Sequence, residues 1–376
     1  MGEAHVYDLA IIGAGAAGLQ LLYEYLQQAE NIDATILLID SGDRSKKSWC
    51  FWAENNQESF PFLIQKSWSK ITYRSSKSIS KTEELSDLNY HYISSGHFFD
   101  FFFDQFIPEH TQIKHETGWV DNLQETDSRV EINLQNGAKF YANQVADARI
   151  QKCTESNKTQ LSQHFWGKFV EFNEAILDSS AVTLMDFSQP QTNGAYSIFH
   201  YILPFTSHKA LIETTVFSTQ AYQEQAYEAH WNQYMETNFA GKNYQVTDVE
   251  QGTIPMSVTA PTNKMGKIFA IGTAAGQVKA STGYAFTRMH RDAKAKINQS
   301  SIELKSRFVF YDSILLHMIQ TENQVISAVM DRLFGRVSFT KILRFLDEKT
   351  SLWEEINLFS RLQIPLFIKH LLTRNR

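Results

Sequence analysis

Cysteine is scarce in this chain: Cys50 and Cys153 are its only two, far apart and without metal-ligand spacing. That argues against a disulfide framework or a zinc site and points to a reducing compartment. Long apolar runs are missing as well. No stretch reaches the ~20 apolar residues needed to span a bilayer. Glycines at positions 13 and 15 interrupt the core a signal peptide would need. There is no basic tail and no run of like charge, and the net charge is −6, so nucleic acid is a poor partner. The twelve histidines show no HxxxH or other ligand spacing. His200, His208 and His290 read as structural or surface residues, and no metal is expected. Internal repeats and low-complexity segments are also lacking.

What is present is apolar and aromatic. The 376 residues are 43% hydrophobic, enough for a full core and one or two domains. There are 27 Phe, 15 Tyr and 7 Trp, a supply that suits a pocket for a large apolar ligand and an ordinary core equally.

The strongest local pattern is at the start. Tyr7 to Ile12 read as a strand buried on both faces, followed by a glycine turn and a helical pattern carrying Leu19, Leu22, Tyr23 and Leu26. A second buried strand, ATILLI, ends at Asp40. In the turn, Gly13-Ala14-Gly15-Ala16-Ala17-Gly18 matches GxGxxG. Gly13 permits the tight turn, Gly15 lets backbone approach a pyrophosphate, and Gly18 lets helix and strand pack closely. The helix N-terminus offers unpaired N–H groups to phosphates. Asp40 lies 22 residues beyond Gly18, where a carboxylate can accept hydrogen bonds from an adenosine ribose or simply cap a turn. Both FAD and NAD use such a turn. A second glycine loop, Gly272-Thr273-Ala274-Ala275-Gly276 running on to Thr282-Gly283, favours FAD, whose flavin portion a late strand–loop–helix closes over.

Between these loops lie four runs of strand formers, FWGKFVEF, AVTLMDF, AYSIFHYILPF and KALIETTVF, which suggest a mostly antiparallel sheet. The expected fold class is α/β: a discontinuous Rossmann-like FAD-binding domain over 1–160 and 245–300, an inserted antiparallel-sheet substrate domain over 161–244, and a helical C-terminal region over 301–376.

Several blocks together resemble lycopene cyclase, specifically the β-cyclase family of bacteria and plants. They are YDLAIIGAGAAG with ILLID, Ser48-Trp49-Cys50-Phe51-Trp52, Met185-Asp186-Phe187, FTSHKALIETT, Ile254-Pro255-Met256, and GTAAG continuing to Ser281-Thr282-Gly283-Tyr284. Order and spacing fit over roughly residues 6–297. Three positions depart from the family pattern. Ala280 stands where Pro is usual, Thr214 replaces the second acid after Glu213, and Gly96-His97 occupies a place where related FAD proteins carry Arg.

The resemblance implies acid-catalysed, non-redox cyclisation of the end groups of lycopene, or another linear carotene, to β-ionone rings. It implies reduced FAD as cofactor and NAD(P)H as its reductant. Such chemistry needs a positioned acid in a dry, apolar chamber, because water would trap the carbocation. Glu213 is the candidate acid: alternation puts it with Leu211 on one face of a strand, and a buried carboxyl stays protonated near neutral pH. The reduced flavin is the alternative proton donor, with Glu213 tuning it. Asp186 is the second named acid, as a base, a holder of Glu213, or a turn residue before Ser188-Gln189-Pro190. Trp49, Phe51, Trp52 and Tyr284 either line the chamber around the substrate or pack the core.

The alternative function is a redox FAD enzyme of similar fold, a hydroxylase or a geranylgeranyl reductase. Hydroxylases usually show Gly-Asp before the late loop, whereas here Gly272 precedes Thr273. Finally, LFSRLQIPLFIKHLLTRNR sets Leu358, Phe359, Leu362, Ile364, Leu366, Phe367, Ile368, Leu371 and Leu372 against basic Arg361, Lys369, Arg374 and Arg376, interrupted by Pro365. That pattern suits a peripheral contact on the inner face of the cytoplasmic membrane, or a core-packing final helix.

Overall fold

Leu9 to Ile12 are all buried, so the strand Val6–Ile12 lies inside a sheet covered on both faces. The structure, a computed structural model, describes residues 5–75, 79–150, 161–189, 197–220, 223–258, 266–300, 305–362 and 364–373. Val6–Ile12 pairs in parallel with Ile36–Asp40 on one side and Lys139–Asp147 on the other. Ile113–Thr117 and Ile268–Ala270 extend the parallel part, and an antiparallel meander, Val120–Glu125 and Val130–Leu134, completes seven strands among the described residues. The helices Ala16–Leu26 and Phe286–Ile297 lie together over the sheet, joined by a hydrogen bond from the buried Gln20 side chain to the Phe286 carbonyl, 3.3 Å. This is the Rossmann-like unit expected from the glycine turn.

A second sheet runs in the order Tyr244–Pro255, Ser162–Phe172, Lys209–Ser218, Ser197–Pro204, Ala181–Asp186, Lys70–Arg74, Ser80–Glu84. All its pairings are antiparallel except Ala181–Asp186 with Lys70–Arg74. The segment 161–244 expected for this sheet is therefore too narrow. Edge pairing recruits strands from before and after it, which the expected boundaries had given to the nucleotide unit. A small third sheet joins Ser48–Glu54, Leu88–Ser94 and Lys66–Trp68.

The two faces of the second sheet do different work. On one, Ile198, Ile202, Ile212 and Val216 pack against Tyr227, Trp231, Tyr234 and Met235 of the helix Glu224–Asn238. On the other, Phe199, Leu211 and Phe217 join the largest apolar cluster, which takes in the C-terminal helices. The alternation read from KALIETTVF thus holds: Ile212 faces the helix and Leu211 the opposite side.

Ser306–Thr321, Ile326–Arg336, Phe339–Leu346, Leu352–Phe359 and Ile364–Thr373 form the helical C-terminal region. The Tyr73 hydroxyl reaches from the sheet to Asp331, 2.6 Å. Lys81 Nζ donates to the carbonyls of Phe334 and Val337, 2.9 Å each, at the C-terminal end of Ile326–Arg336, where a cation complements the helix dipole. Lys279, buried in the late glycine loop, pairs with Asp312 at 2.8 Å and Glu348 at 2.9 Å, and Arg288 shares Glu348. That cluster ties the loop to the helical region.

Candidate active site

Gly13 holds φ at +98°, a conformation side chains resist, and its N–H donates to the Ile39 carbonyl at 2.7 Å. A Cβ on Gly18 would sit 1.9 Å from the Gly13 carbonyl oxygen, so only glycine lets helix and strand approach this closely. Beside Gly15 there is open space, and no side chain caps the N-terminus of Ala16–Leu26. The first-turn N–H groups are thus free to meet an anion. Ala14 and Ala17 are buried beneath.

The second glycine loop comes to the same place. A Cβ on Gly272, whose φ is +63°, would lie 2.7 Å from the Ala17 Cβ, so the two loops touch. Gly272–Ala275 makes one tight turn, which Gly276 closes at φ +71°. Ala275 is buried and Thr273 half-buried in that turn. Thr282 carries a hydroxyl with no partner among the described residues, Ser281 lies beside the Asp312 carboxylate, and Gly283 turns at φ +76° against Ile254. Asp40 caps the turn that follows its strand. Its carboxylate already accepts from Arg44 (3.1 and 3.2 Å), His115 (2.8 Å) and the Gly42 N–H. Burial opposes its charge, but these donors prevail and hold the carboxyl well below the usual range.

From the loop 281–286 a cavity of about 480 Å³ runs to the C-terminal helices. Its wall is mostly apolar: Leu184, Phe199 and Phe217 from the sheet, Leu315, Met330 and Phe334 from the helices. It reaches the surface where Phe310, Ile368 and Leu371 are exposed. Three acids line it: Asp312 of the helix Ser306–Thr321, already paired with Lys279, and Glu213 and Glu250 on the two strands that flank Ser162–Phe172. Glu213 is 7% exposed and receives no hydrogen bond or ion pair from any described residue. Burial, reinforced by the charge of Glu250, pushes its carboxyl well above the ordinary value. Glu250 is 3% exposed, and Ser48 serves both its oxygens, the N–H to Oε1 at 2.6 Å and the hydroxyl to Oε2 at 2.5 Å. A phenol trio stands beside them: the Tyr90 hydroxyl meets those of Tyr201 at 2.7 Å and Tyr284 at 2.6 Å. Burial pushes all three phenols, and the Cys50 thiol at the same wall, upward, so they remain protonated.

The sequence model of the lycopene cyclase protein family matches residues 8–370. This chain belongs to the lycopene cyclase family. No curated relative matches it. Among solved structures, a geranylgeranyl bacteriochlorophyll reductase-like protein from Thermoplasma acidophilum is similar at TM-score 0.61 and 11% identity, covering 99% of this chain and all of that one. The halogenase PltM in complex with FAD gives 0.54 and 12%, covering 91% and 79%. An HpxO variant from Klebsiella pneumoniae, complexed with FAD, gives 0.54 and 11%, covering 98% of each chain. At such identities the likeness shows a shared fold.

Within this cyclase-family chain the expected site residues divide. Glu213, Trp49, Thr282, Gly283 and Tyr284 line the cavity. Phe51 and Trp52 are core residues instead: Phe51 stacks on Phe286 at 5.1 Å, and Trp52 meets the edge of Tyr284 at 4.7 Å. Asp186 is fully buried behind the cavity wall. Tyr234 donates to it at 2.7 Å, Arg74 pairs with it at 3.5 Å, and the Ser188 N–H caps it at 2.8 Å. The pairing register shifts on both sides of Ala181–Asp186 around Met185, so simple alternation fails there and Asp186 joins Tyr234 of the helix Glu224–Asn238. It cannot hold or assist Glu213 directly. Sequence reading missed Glu250, Ser48, Tyr90 and Tyr201. An acid within the strand pattern YQVTDVEQGTIP was the available signal for Glu250.

The C-terminal segment divides too. Leu358, Phe359, Leu362 and Phe367 line the cavity with Ile368 and Leu371, while Leu372 is exposed. The side chains of Ile364 and Leu366, and residues Arg374 and Arg376, lie outside the described residues, as does Cys153. Among the described residues no helix is long and apolar enough to cross a membrane.

Proposed function

We propose that this protein is a lycopene β-cyclase, closing the end groups of a linear carotene by protonation from Glu213. One observation carries the reading: an unpartnered, buried carboxyl opens into an apolar cavity. A hydrocarbon offers no group to hydrogen-bond, so such a chamber needs shape and one acid. Glu213 stays neutral at physiological pH and donates its proton to the terminal double bond. The neighbouring double bond then forms the ring and leaves a tertiary cation. The apolar wall keeps water from that cation, and the phenol trio, all neutral, presents oxygen dipoles and ring faces to it.

The two touching glycine loops fit FAD. Gly13, Gly15 and Gly18, over Ala14 and Ala17, would hold the pyrophosphate, and Gly272, Thr273, Ala275, Gly276, Thr282 and Gly283 the flavin portion. The unpartnered Thr282 hydroxyl and the open space at Gly15 support this. When bound in reduced form, FAD would supply negative charge near the cation. NAD(P)H is the proposed reductant. Exposed Phe310, Ile368 and Leu371 line the cavity, and the helices Leu352–Phe359 and Ile364–Thr373, which supply part of its wall, also carry exposed Leu352, Trp353, Ile356 and Leu372. This supports peripheral docking on the cytoplasmic membrane from the cytoplasmic side, with carotene passing directly from lipid to cavity.

Expression in lycopene-accumulating cells tests the reading. It expects a change from red to orange-yellow with β-carotene formed, and none with Glu213→Gln. New oxygen in the product, or a saturated chain, would replace it with a redox activity.

A further inference from the structure

We propose that Glu250 is the base that ends the reaction, taking a proton from the ring cation on the cavity face it shares with Glu213. This rests on the cyclase reading and extends it to a residue outside the motifs that carry the family resemblance.

The geometry begins with Gly167. It pairs with Glu213 on one neighbouring strand and with Glu250 on the other, so the three form one cross-strand row. Residues in such a row share a face, and both acids line the cavity. The middle position carries no side chain. A Cβ there would lie 2.5 Å from the Glu213 Cγ, so the Glu213 side chain lies over a gap in the row that only glycine leaves.

Their surroundings divide the labour. Glu250 receives two charge-strengthening hydrogen bonds from Ser48, and Lys47 adds positive charge nearby. Facing it are also Asp248 of its own strand, itself paired with Lys46, and Glu213, Tyr92 and Cys50 from the elements packed around it. Burial raises Glu250, while Ser48 and Lys47 oppose the rise; Glu213 has no such donors. The first proton to leave the pair comes off Glu250, leaving one acid and one base. Titratable groups held apart in this way mark out the acid and base of a site.

The step balances without oxidant or reductant. The Glu213 O–H bond breaks as a C–H bond forms at the alkene terminus. The neighbouring alkene pair forms the ring C–C bond. Glu250 removes a proton from a carbon beside the cation, and that C–H pair becomes the ring double bond. Glu250 is then protonated and Glu213 ionised, and transfer back across the Gly167 gap resets both. Because the base is fixed, its position selects which proton leaves, and hence where the ring double bond lies.

The test uses the full chain loaded with reduced FAD and given lycopene in lipid vesicles, with ring isomers separated chromatographically. Glu250→Gln should cut cyclisation by roughly 100-fold, the usual scale for losing a positioned base. Its residual product should be a mixture of double-bond positions, and Glu250→Asp should restore the single wild-type isomer. A single unchanged isomer from Glu250→Gln, at any rate, overturns the proposal. Should that variant fail to fold, Ser48→Ala, which removes one of the two donors, should slow the reaction and mix the isomers; unchanged rate and product there also overturn it. A wild-type chain that leaves lycopene linear overturns the cyclase reading itself, and the role of Glu250 with it.

Discussion

Gly167 stands directly opposite Glu213 in the ladder between Ser162–Phe172 and Lys209–Ser218, and any side chain there would strike the acid. Gly167→Ala should therefore displace the Glu213 carboxyl while leaving both strands paired. Cyclisation should fall about 10-fold or more, as expected when a reacting group moves by an ångström, with circular dichroism and flavin absorbance retained. Wild-type turnover in that variant would remove the steric argument.

Glu213 also predicts a pH-dependent stability. Its folded-state carboxyl titrates above the unfolded value of about 4.5. Below that value both states are protonated. As pH rises past it, the unfolded chain releases the proton first and native stability declines until the folded carboxyl also ionises. Glu213→Gln lacks this decline. Its melting temperature should gain on the wild type's as pH rises above about 4.5, the stability gap widening by about 1.4 kcal/mol per pH unit while only the unfolded chain is ionised. A constant margin would show that the carboxyl is not raised.

Asp186 should prove to be a packing residue. Asp186→Asn weakens the acceptor for the Tyr234 hydroxyl and removes the charge facing Arg74. A loss of about 1–3 kcal/mol in denaturant unfolding is expected, with kcat for cyclisation unchanged well below the melting point. A selective loss of kcat in a fully stable variant would return Asp186 to the chemistry.

Lys279→Met should be costly, because it strands the buried carboxylate Asp312 and leaves the half-buried Glu348 to Arg288 alone. Breaking one partner of such a cluster costs roughly 3–5 kcal/mol. Calorimetry should show a lowered melting temperature, which acidification partly restores by neutralising the carboxylates.

The exposed apolar residues make a surface prediction. Replacing Trp353, Ile356 and Leu372 together by Ser should leave stability within about 0.5 kcal/mol. Co-sedimentation with phospholipid vesicles should weaken at least ~10-fold, since each buried apolar side chain contributes about 1.5–3 kcal/mol. Unaltered vesicle binding would move the docking face elsewhere.

What could be read from the sequence was local. The Gly13–Gly18 turn, the strand ending at Asp40 and the loop after Ile271 each declare themselves within a few residues, because backbone conformation there demands glycine. Glu213 was visible as an acid in an apolar strand. Its partner was not. Glu250 joins it only through the strand Ser162–Phe172, which both neighbouring strands flank, and pairing partners leave no mark in a single sequence. For Phe51 and Trp52 the sequence left core and cavity open, because apolar aromatics fit both equally. For Asp186 the turn alternative fits its contact with the Ser188 N–H, while its burial against Tyr234 depends on a helix some fifty residues further on, which the local sequence does not reveal. The boundary at 244 failed because sheets ignore chain order. The C-terminal helices were recognised as helices, but Trp353 was not singled out, since exposure is a tertiary property.

The cavity holds its reactive carboxyls in a single row, whereas a linear carotene has two identical tips roughly a molecule's length apart. Both tips cannot be served in one visit. On the proposed chemistry the polyene must back out, turn end for end and thread again, so half-finished, one-ringed pigment should build up early and vanish late. Its lifetime would measure how readily the protein lets go of its oil.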